Sequence, residues 1–301
     1  MPRQLEELFR SWAKPECASE QERCMNAERL IKEAIRESSH FSGKSIHVFA
    51  QGSYRNNTNI QSESDVDICV CCVDSIFPCF SFTNNLTNSD LDFVDSSYMY
   101  SHFKEDVEQA LINKFGSTGV HRGNKAFDVH ANSYRIDADV VACFEHRRYI
   151  QLPDNCVHYH SGTEFHPDNG IPIINWPQQH YQNGVQKNIA TGNRYKYIVR
   201  GLKCLRTKMA KEAIPAALSI PSYLLECLVW NAPNESFKNE EYTQNMQNVL
   251  AYVFNGTIDN QRCHDWTEVN GLKQLFHFSQ PWKRETTHEF ISAAWDYIGF
   301  K

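Results

Sequence analysis

Gln51-Gly52-Ser53-Tyr54-Arg55, running on to Ser64-Asp65-Val66-Asp67-Ile68-Cys69-Val70, decides the fold of this chain. The text predicts a strand, a glycine turn, a short helix and a second strand. Asp65 and Asp67 are separated by one residue, so on a strand both carboxylates leave the same face. Side by side they repel each other unless a cation neutralises them. Gly52 carries no side chain, so the turn before them brings backbone N–H groups close to a phosphate. Ser133-Tyr-Arg-Ile-Asp-Ala-Asp-Val-Val-Ala142 adds Asp137 and Asp139 on one face of a later strand. A surface turn beside a capped strand explains Gly52-Ser53 alone, but not the turn together with three carboxylates. The combination suits a metal-bound nucleoside triphosphate.

Nucleotidyl transfer asks for an attacking hydroxyl aligned with the α-phosphorus and for compensation of phosphate charge. Two Mg²⁺ ions about 3.5–4 Å apart supply both, and three carboxylates are their minimal cage. Asp65, Asp67 and either Asp137 or Asp139 fit that cage, with Mn²⁺ as a substitute ion.

At 301 residues the chain is long enough for two lobes. The expected division is 1–150, an N-terminal helix with the catalytic core, and 151–301, a connecting segment and a helical lobe. No apolar run is long enough for a membrane span, and Met1-Pro-Arg-Gln-Leu-Glu-Glu lacks a signal-peptide core. Eleven cysteines without a secreted-type framework point to a reducing, cytoplasmic compartment. A net charge of −6 gives no overall attraction to a nucleic-acid backbone.

Ser19-Glu-Gln-Glu22 reads as a capping box opening a helix. Ser45–Ala50 and Asp65–Val73 read as strands. Cys69 and Cys72 point to opposite faces of the second, which rejects a metal or redox role for that C-x-x-C. Residues 78–97 read as a loop and Ser101–Phe115 as a helix. Ala126–Ala131 and Ser133–Phe144 read as paired strands turning at Asn132. Tyr149–Asn193, rich in proline and including Pro153, reads as a surface connection. Helices follow over Tyr195–Ala213, from Pro221, over Glu241–Phe254 and over Thr286–Ile298. Cys156-x-His158-x-His160, with His166, matches no zinc spacing and reads as exposed histidines. Cys263-His264-Asp265 is a still weaker ligand set.

Gly52-Ser53 with Asp65-x-Asp67 and a later aspartate resembles the nucleotidyltransferase superfamily that includes DNA polymerase β. Longer stretches are similar to the bacterial cGAS/DncV-like nucleotidyltransferases: Gln51–Ile60, Asp137–Val141, Asn175-Trp-Pro177 with His180–Gly184, and Pro221–Glu226. The resemblance implies an α+β fold, a polymerase β-like mixed sheet with helices behind it, plus a C-terminal helical lobe and a cleft between them. It implies a Mg²⁺-dependent enzyme that joins nucleoside triphosphates, ATP among them, into a cyclic di- or trinucleotide. Pyrophosphate is released, and the product is a messenger in anti-phage (CBASS-type) signalling. It makes Asp139 the third metal ligand, with Asp137 as the alternative on the same face. Gln51, Gly52 and Ser53 would hold the terminal phosphate, Lys203 and Ser222 would reach the triphosphate, and Tyr223 would stack on a base.

The expected protein is a monomer that needs no membrane and no nucleic-acid activator. The chain as given ends Gly299-Phe300-Lys301, without the small terminal residue that some family members use for conjugation. Two rival classes share the motif. One is another template-independent nucleotidyltransferase acting on RNA, protein or a small molecule. The other is an inactive nucleotide-binding scaffold, which has no need to keep its carboxylates clustered.

Overall fold

Alternation of apolar residues in the first half of the chain builds a sheet, and 3.6-residue periodicity in the second half builds helices. The computed structural model describes residues 2–15, 17–60, 65–83, 86–93, 96–152 and 156–300. They divide into two units. Cys17–Tyr54 with Ser64–Pro177 forms a sheet unit, and Met1–Glu16, Arg55–Glu63 and Gln178–Lys301 form a helical unit. The division is therefore discontinuous, not a single boundary at residue 150.

Helix α1 covers Pro2–Trp12 and α2 covers Ala18–Glu37. Strand β1, Ile46–Ala50, leads into the short helix α3, Gly52–Asn56. Strand β2 is Val66–Phe82, helix α4 Tyr100–Phe115, and strands β3 and β4 are Val120–Arg122 and Phe127–Val129. Strands β5, Ala138–Gln151, β6, Val157–Phe165, and β7, Ile173–Asn175, complete the sheet. Helices α5 to α10 are Pro177–Ala190, Tyr195–Lys211, Pro215–Leu218, Ser222–Asn231, Tyr242–Gly256 and Arg284–Ile298. This is the expected α+β architecture with a helical C-terminal part.

Among the described residues the sheet runs β1-β2-β5-β4-β3. The β2–β5 pair is parallel, and β1–β2 and β4–β5 are antiparallel. The second half of β5 pairs with β6 instead of β4. One sheet face packs on α2 and α4 through Ile31, Phe103, Val107, Ile68 and Val140. The other carries a smaller cluster with Cys69, Cys71, Val141, Cys143 and Phe165. Cys72 belongs to the first cluster and Cys69 to the second, as the strand period requires. No cysteine is in a disulfide. The helical unit has its own core, to which α6 gives Ile198, Leu202, Leu205 and Met209. Phe9 of α1 packs there too, which is why the first helix belongs with the last ones.

Three local expectations need correction. The capping box at Ser19 does not form. Cys17 is the N-cap, its carbonyl accepting from Glu20 and Gln21, and Ser19 falls inside the first turn. The loop expected from Pro78 is strand as far as Phe82. Among the described residues the strand beyond Val73 pairs with β5 alone, and an edge strand is where a proline is tolerated. The rest of that expected loop includes a short 3₁₀ turn, Asn88–Leu91, while residues 84, 85, 94 and 95 lie outside the described residues. The expected surface connection of 149–193 is β6, β7 and α5, with Pro177 opening α5. Strand β6 was hidden by its polar text, since its first residues are exposed on both faces. Pro153 and Lys301 lie outside the described residues.

Phe103 is fully buried between Phe41 and Phe144, with ring centroids 5.9 and 5.4 Å away. Phe103→Ala is expected to cost about 3–5 kcal/mol, read as a lower urea midpoint.

Candidate active site

The site residues of the sheet unit are set by two strands and one turn. The Gln51 N–H donates to the Asp67 carbonyl at 2.9 Å, tying the turn to β2. Gly52 follows with φ +64°, and a Cβ there would overlap the Asp67 carboxylate. Glycine is therefore required twice, for the left-handed backbone and for the close approach. Ser53, half-buried, sits in the first turn of α3 next to this contact.

Asp67 of β2 stands opposite Asp139 of β5 in the parallel register. Asp128 of β4 stands opposite Asp139 on the other side. Three carboxylates thus lie abreast on adjacent strands, and exposed Asp65 precedes β2. Asp137 is on the same face, but its carboxylate accepts the Ala131 N–H at 2.6 Å in the turn before β5. Sequence reading missed Asp128. The signal was present in Phe127-Asp-Val129, where burial of Phe127 and Val129 turns Asp128 to the acidic face.

Burial pushes the Asp139 carboxyl up to about 6, helped by the negative charges of Asp128 and Asp65, a hydrogen bond with Asp128, and Asp137. Among the described residues no three acidic, imidazole or thiol groups already converge as a cation cage. The donor chemistry nonetheless fits a hard cation. All candidate ligands are carboxylate oxygens, and a cation beside Asp139 would oppose the burial and the acidic neighbours that raise it.

In the helical unit, Lys203 lies on α6, is 1% exposed, and approaches the Glu226 carboxylate at 4.0 Å. It is not a solvated helix lysine. Ser222 opens α8, and its hydroxyl accepts from Arg206. The Tyr223 hydroxyl donates to Glu268 at 2.9 Å, and its ring lies 5.6 Å from His180 and 6.1 Å from Trp282. Burial raises the Tyr223 hydroxyl well above its ordinary range. Among the histidines read as exposed, His158 is exposed and His160 half-buried.

Residues 182–299 match the cGAS/DncV-like nucleotidyltransferase C-terminal helical domain. Over 97% of both chains, the sequence is 47% identical to a cyclic dipyrimidine nucleotide synthase CdnE of Legionella pneumophila. The chain belongs to the cGAS/DncV-like nucleotidyltransferase family. Another CdnE cyclic dipyrimidine nucleotide synthase, from Cecembia lonarensis, is 37% identical over the whole of both chains. Among solved structures, Rhodothermus marinus CdnE c-UMP-AMP synthase with Apcpp and Upnpp superposes with a TM-score of 0.83. It is 29% identical over 100% of this chain and 97% of that one.

The Asp139 shift gives a stability prediction for the metal-free protein. The folded state holds the proton up to about pH 6, whereas the unfolded chain releases it near its ordinary value of 3.8. Stability therefore falls as pH rises through that window. Asp139→Asn should raise Tm by about 2–4 °C at pH 8, with the gain fading below pH 4. A Tm rise independent of pH would mean that charge is not its source.

Proposed function

We propose that this protein joins two pyrimidine nucleoside triphosphates into a cyclic dinucleotide, a messenger of CBASS-type anti-phage signalling. The protein is a cyclic dinucleotide synthase. In each of two steps a ribose hydroxyl oxygen bonds to the α-phosphorus of a triphosphate, and the bond to pyrophosphate breaks. The observation that carries the reading is Asp67 abreast of Asp139, with Gly52 packed on the Asp67 carboxylate. Asp65, Asp67 and Asp139 hold two Mg²⁺, or Mn²⁺, with Asp137 left to its turn. Such ions, when bound, lower the pKa of the attacking hydroxyl and neutralise the leaving pyrophosphate.

The residues of the chain do the rest. Gln51 fixes the turn, Gly52 permits the approach, and the Ser53 hydroxyl and N–H take the terminal phosphate. Ser222 and Tyr223 remain the family-implied candidates for triphosphate and base contacts; Lys203, 1% exposed and 4.0 Å from Glu226, is the least accessible of the three family-implied residues. The choice of pyrimidines, in place of the ATP expected from sequence, is supported by the names of the relatives at 47% and 37% identity. A cytoplasmic location is supported by eleven cysteines without a disulfide, and no described helix is long and apolar enough to cross a membrane.

Mass analysis of products from mixed UTP, CTP, ATP and GTP with Mg²⁺ tests this. A cyclic dipyrimidine is expected, together with loss of about 10³-fold or more in Asp67→Asn. A purine-only product overturns the base choice, and an active Asp67→Asn overturns the metal site.

A monomer working without a nucleic-acid activator is part of the proposal. The densest basic stretch of the sequence is Arg194 to Lys211, where Arg194, Lys196, Arg200 and Lys203 fall on one helix face; Arg194 and Lys196 are half-buried and Arg200 and Lys203 are each 1% exposed. A buried side chain neutralises no polymer phosphate. Nuclease-treated protein should synthesise equally well with and without added double-stranded DNA or RNA. Strong stimulation by either sinks this part.

A further inference from the structure

Residues 55–60, directly behind the phosphate turn, form a strap buried inside the helical unit. Asn56, Thr58, Asn59 and Ile60 are all buried. Arg55 donates to the Gln178 side chain at 2.8 Å and lies over the Tyr181 ring. The buried Arg200 guanidinium donates to the Asn57 carbonyl at 2.6 Å and to the Ala13 carbonyl at 2.7 Å. Asn57 itself takes φ +52°, ending α3 abruptly. The deepest anchor is Thr58, with no exposed surface, whose hydroxyl donates to Glu226 Oε2 at 2.7 Å.

Glu226 is an unusual carboxylate. Its side chain is 3% exposed, on α8. His180 Nε2 of α5 donates to Oε1 at 2.8 Å, and the Lys203 ammonium of α6 lies 4.0 Å from Oε2. Burial alone would raise its pKa. The His180 and Lys203 charges, with hydrogen bonds from His180 and Thr58, instead hold it down at about 2. A buried ionised group is costly unless each lone pair is met, and here three helices and the strap meet at it.

We propose that Glu226 is a positioning residue for the nucleotide triphosphate. It grips Thr58, and through the single helical turn of α3 that grip fixes the orientation of Gly52-Ser53. The inference rests on the phosphate role of that turn given above. Helix α3 is only Gly52–Asn56, too short to hold its own shape in water. Its geometry must come from what it is tied to, which includes Tyr54, whose hydroxyl donates to the Gln21 carbonyl at 3.2 Å, and the residues at its two ends. One end is tied to β2 through Gln51, and the other to Glu226 through Thr58.

The test compares Thr58→Val, which keeps the shape and removes the donor, with Thr58→Ser, which keeps the donor. KM and kcat are measured with the pyrimidine triphosphates, together with hydrogen exchange of the Tyr54 and Arg55 amides. Thr58→Val should raise KM about tenfold, leave kcat within about twofold and speed exchange in α3, while Thr58→Ser restores all three. A folded Thr58→Val with wild-type KM and exchange overturns the proposal, and so does a Thr58→Ser as impaired as Thr58→Val. If Thr58→Val does not fold, Glu226→Gln, which keeps an acceptor and cancels the charge, should raise KM in the same direction; an unchanged KM overturns the claim. A wild-type protein that neither makes product nor binds a non-hydrolysable UTP analogue brings down the functional reading instead. In that case faster exchange in α3 of Thr58→Val upholds the anchor and unchanged exchange overturns it.

Discussion

The parallel pairing of β2 with β5, which sets Asp67 opposite Asp139, is the constraint on which the site depends. The carboxylates do not attract each other into place. Two unit charges about 5 Å apart at an effective dielectric near 20 repel by roughly 3 kcal/mol. What holds them is the opposite face of the same strands. Val66, Ile68 and Val70 of β2 and Ala138, Val140 and Ala142 of β5 are all essentially inaccessible. Because side chains alternate, a one-residue slip of either strand would carry its aspartate into that core. The apolar register and the acidic register are one and the same, so the core can hold a charge arrangement that is unfavourable by itself.

Much of this was legible in the sequence. Asp65-x-Asp67 called for a strand, and β2 carries Asp67 while Asp65 immediately precedes it. Gly52 was read as room for a phosphate, whereas the close neighbour that the structure shows is the Asp67 carboxylate, which the sequence reading did not name. What a linear text could not carry was pairing across distance. Asp137 and Asp139 share a face, and the difference between them is that Ala131 donates its N–H to Asp137. Asp128 becomes part of the acidic row only through the β4–β5 register. Pro78 reads as a breaker unless it is known that β1 has already ended. In each case the missing information was the neighbour, not the residue.

The helical unit follows the opposite economy of charge. Its sequence shows a basic stripe that looks like a surface, but Arg200 and Lys203 are spent inside. Arg200 satisfies two backbone carbonyls and Lys203 faces Glu226. Glu268 is another buried acid, met by Tyr223, Asn270 and Gln280. Replacing such groups with apolar ones is often neutral or stabilising, so stability alone does not explain them. Their common property is directional contact: each hydrogen bond holds a named partner at a set distance, which an apolar core does not.

That property matters most at α3. The division into units falls inside this helix, after Tyr54, so its first turn counts with the sheet and its last residues with the helices. A five-residue helix has almost no stiffness of its own. Apolar packing behind it would tolerate a small slide, since contact area changes little over an ångström. A hydrogen bond of 2.7 Å to a fixed carboxylate does not tolerate that slide, because its geometry fails within a few tenths of an ångström. Directional charge in the helical unit and required emptiness at Gly52 are therefore two halves of one requirement. The turn lies against Asp67 with no room to spare, and Gln51 before it, Tyr54 within it and Thr58 after it each give α3 a directional tie.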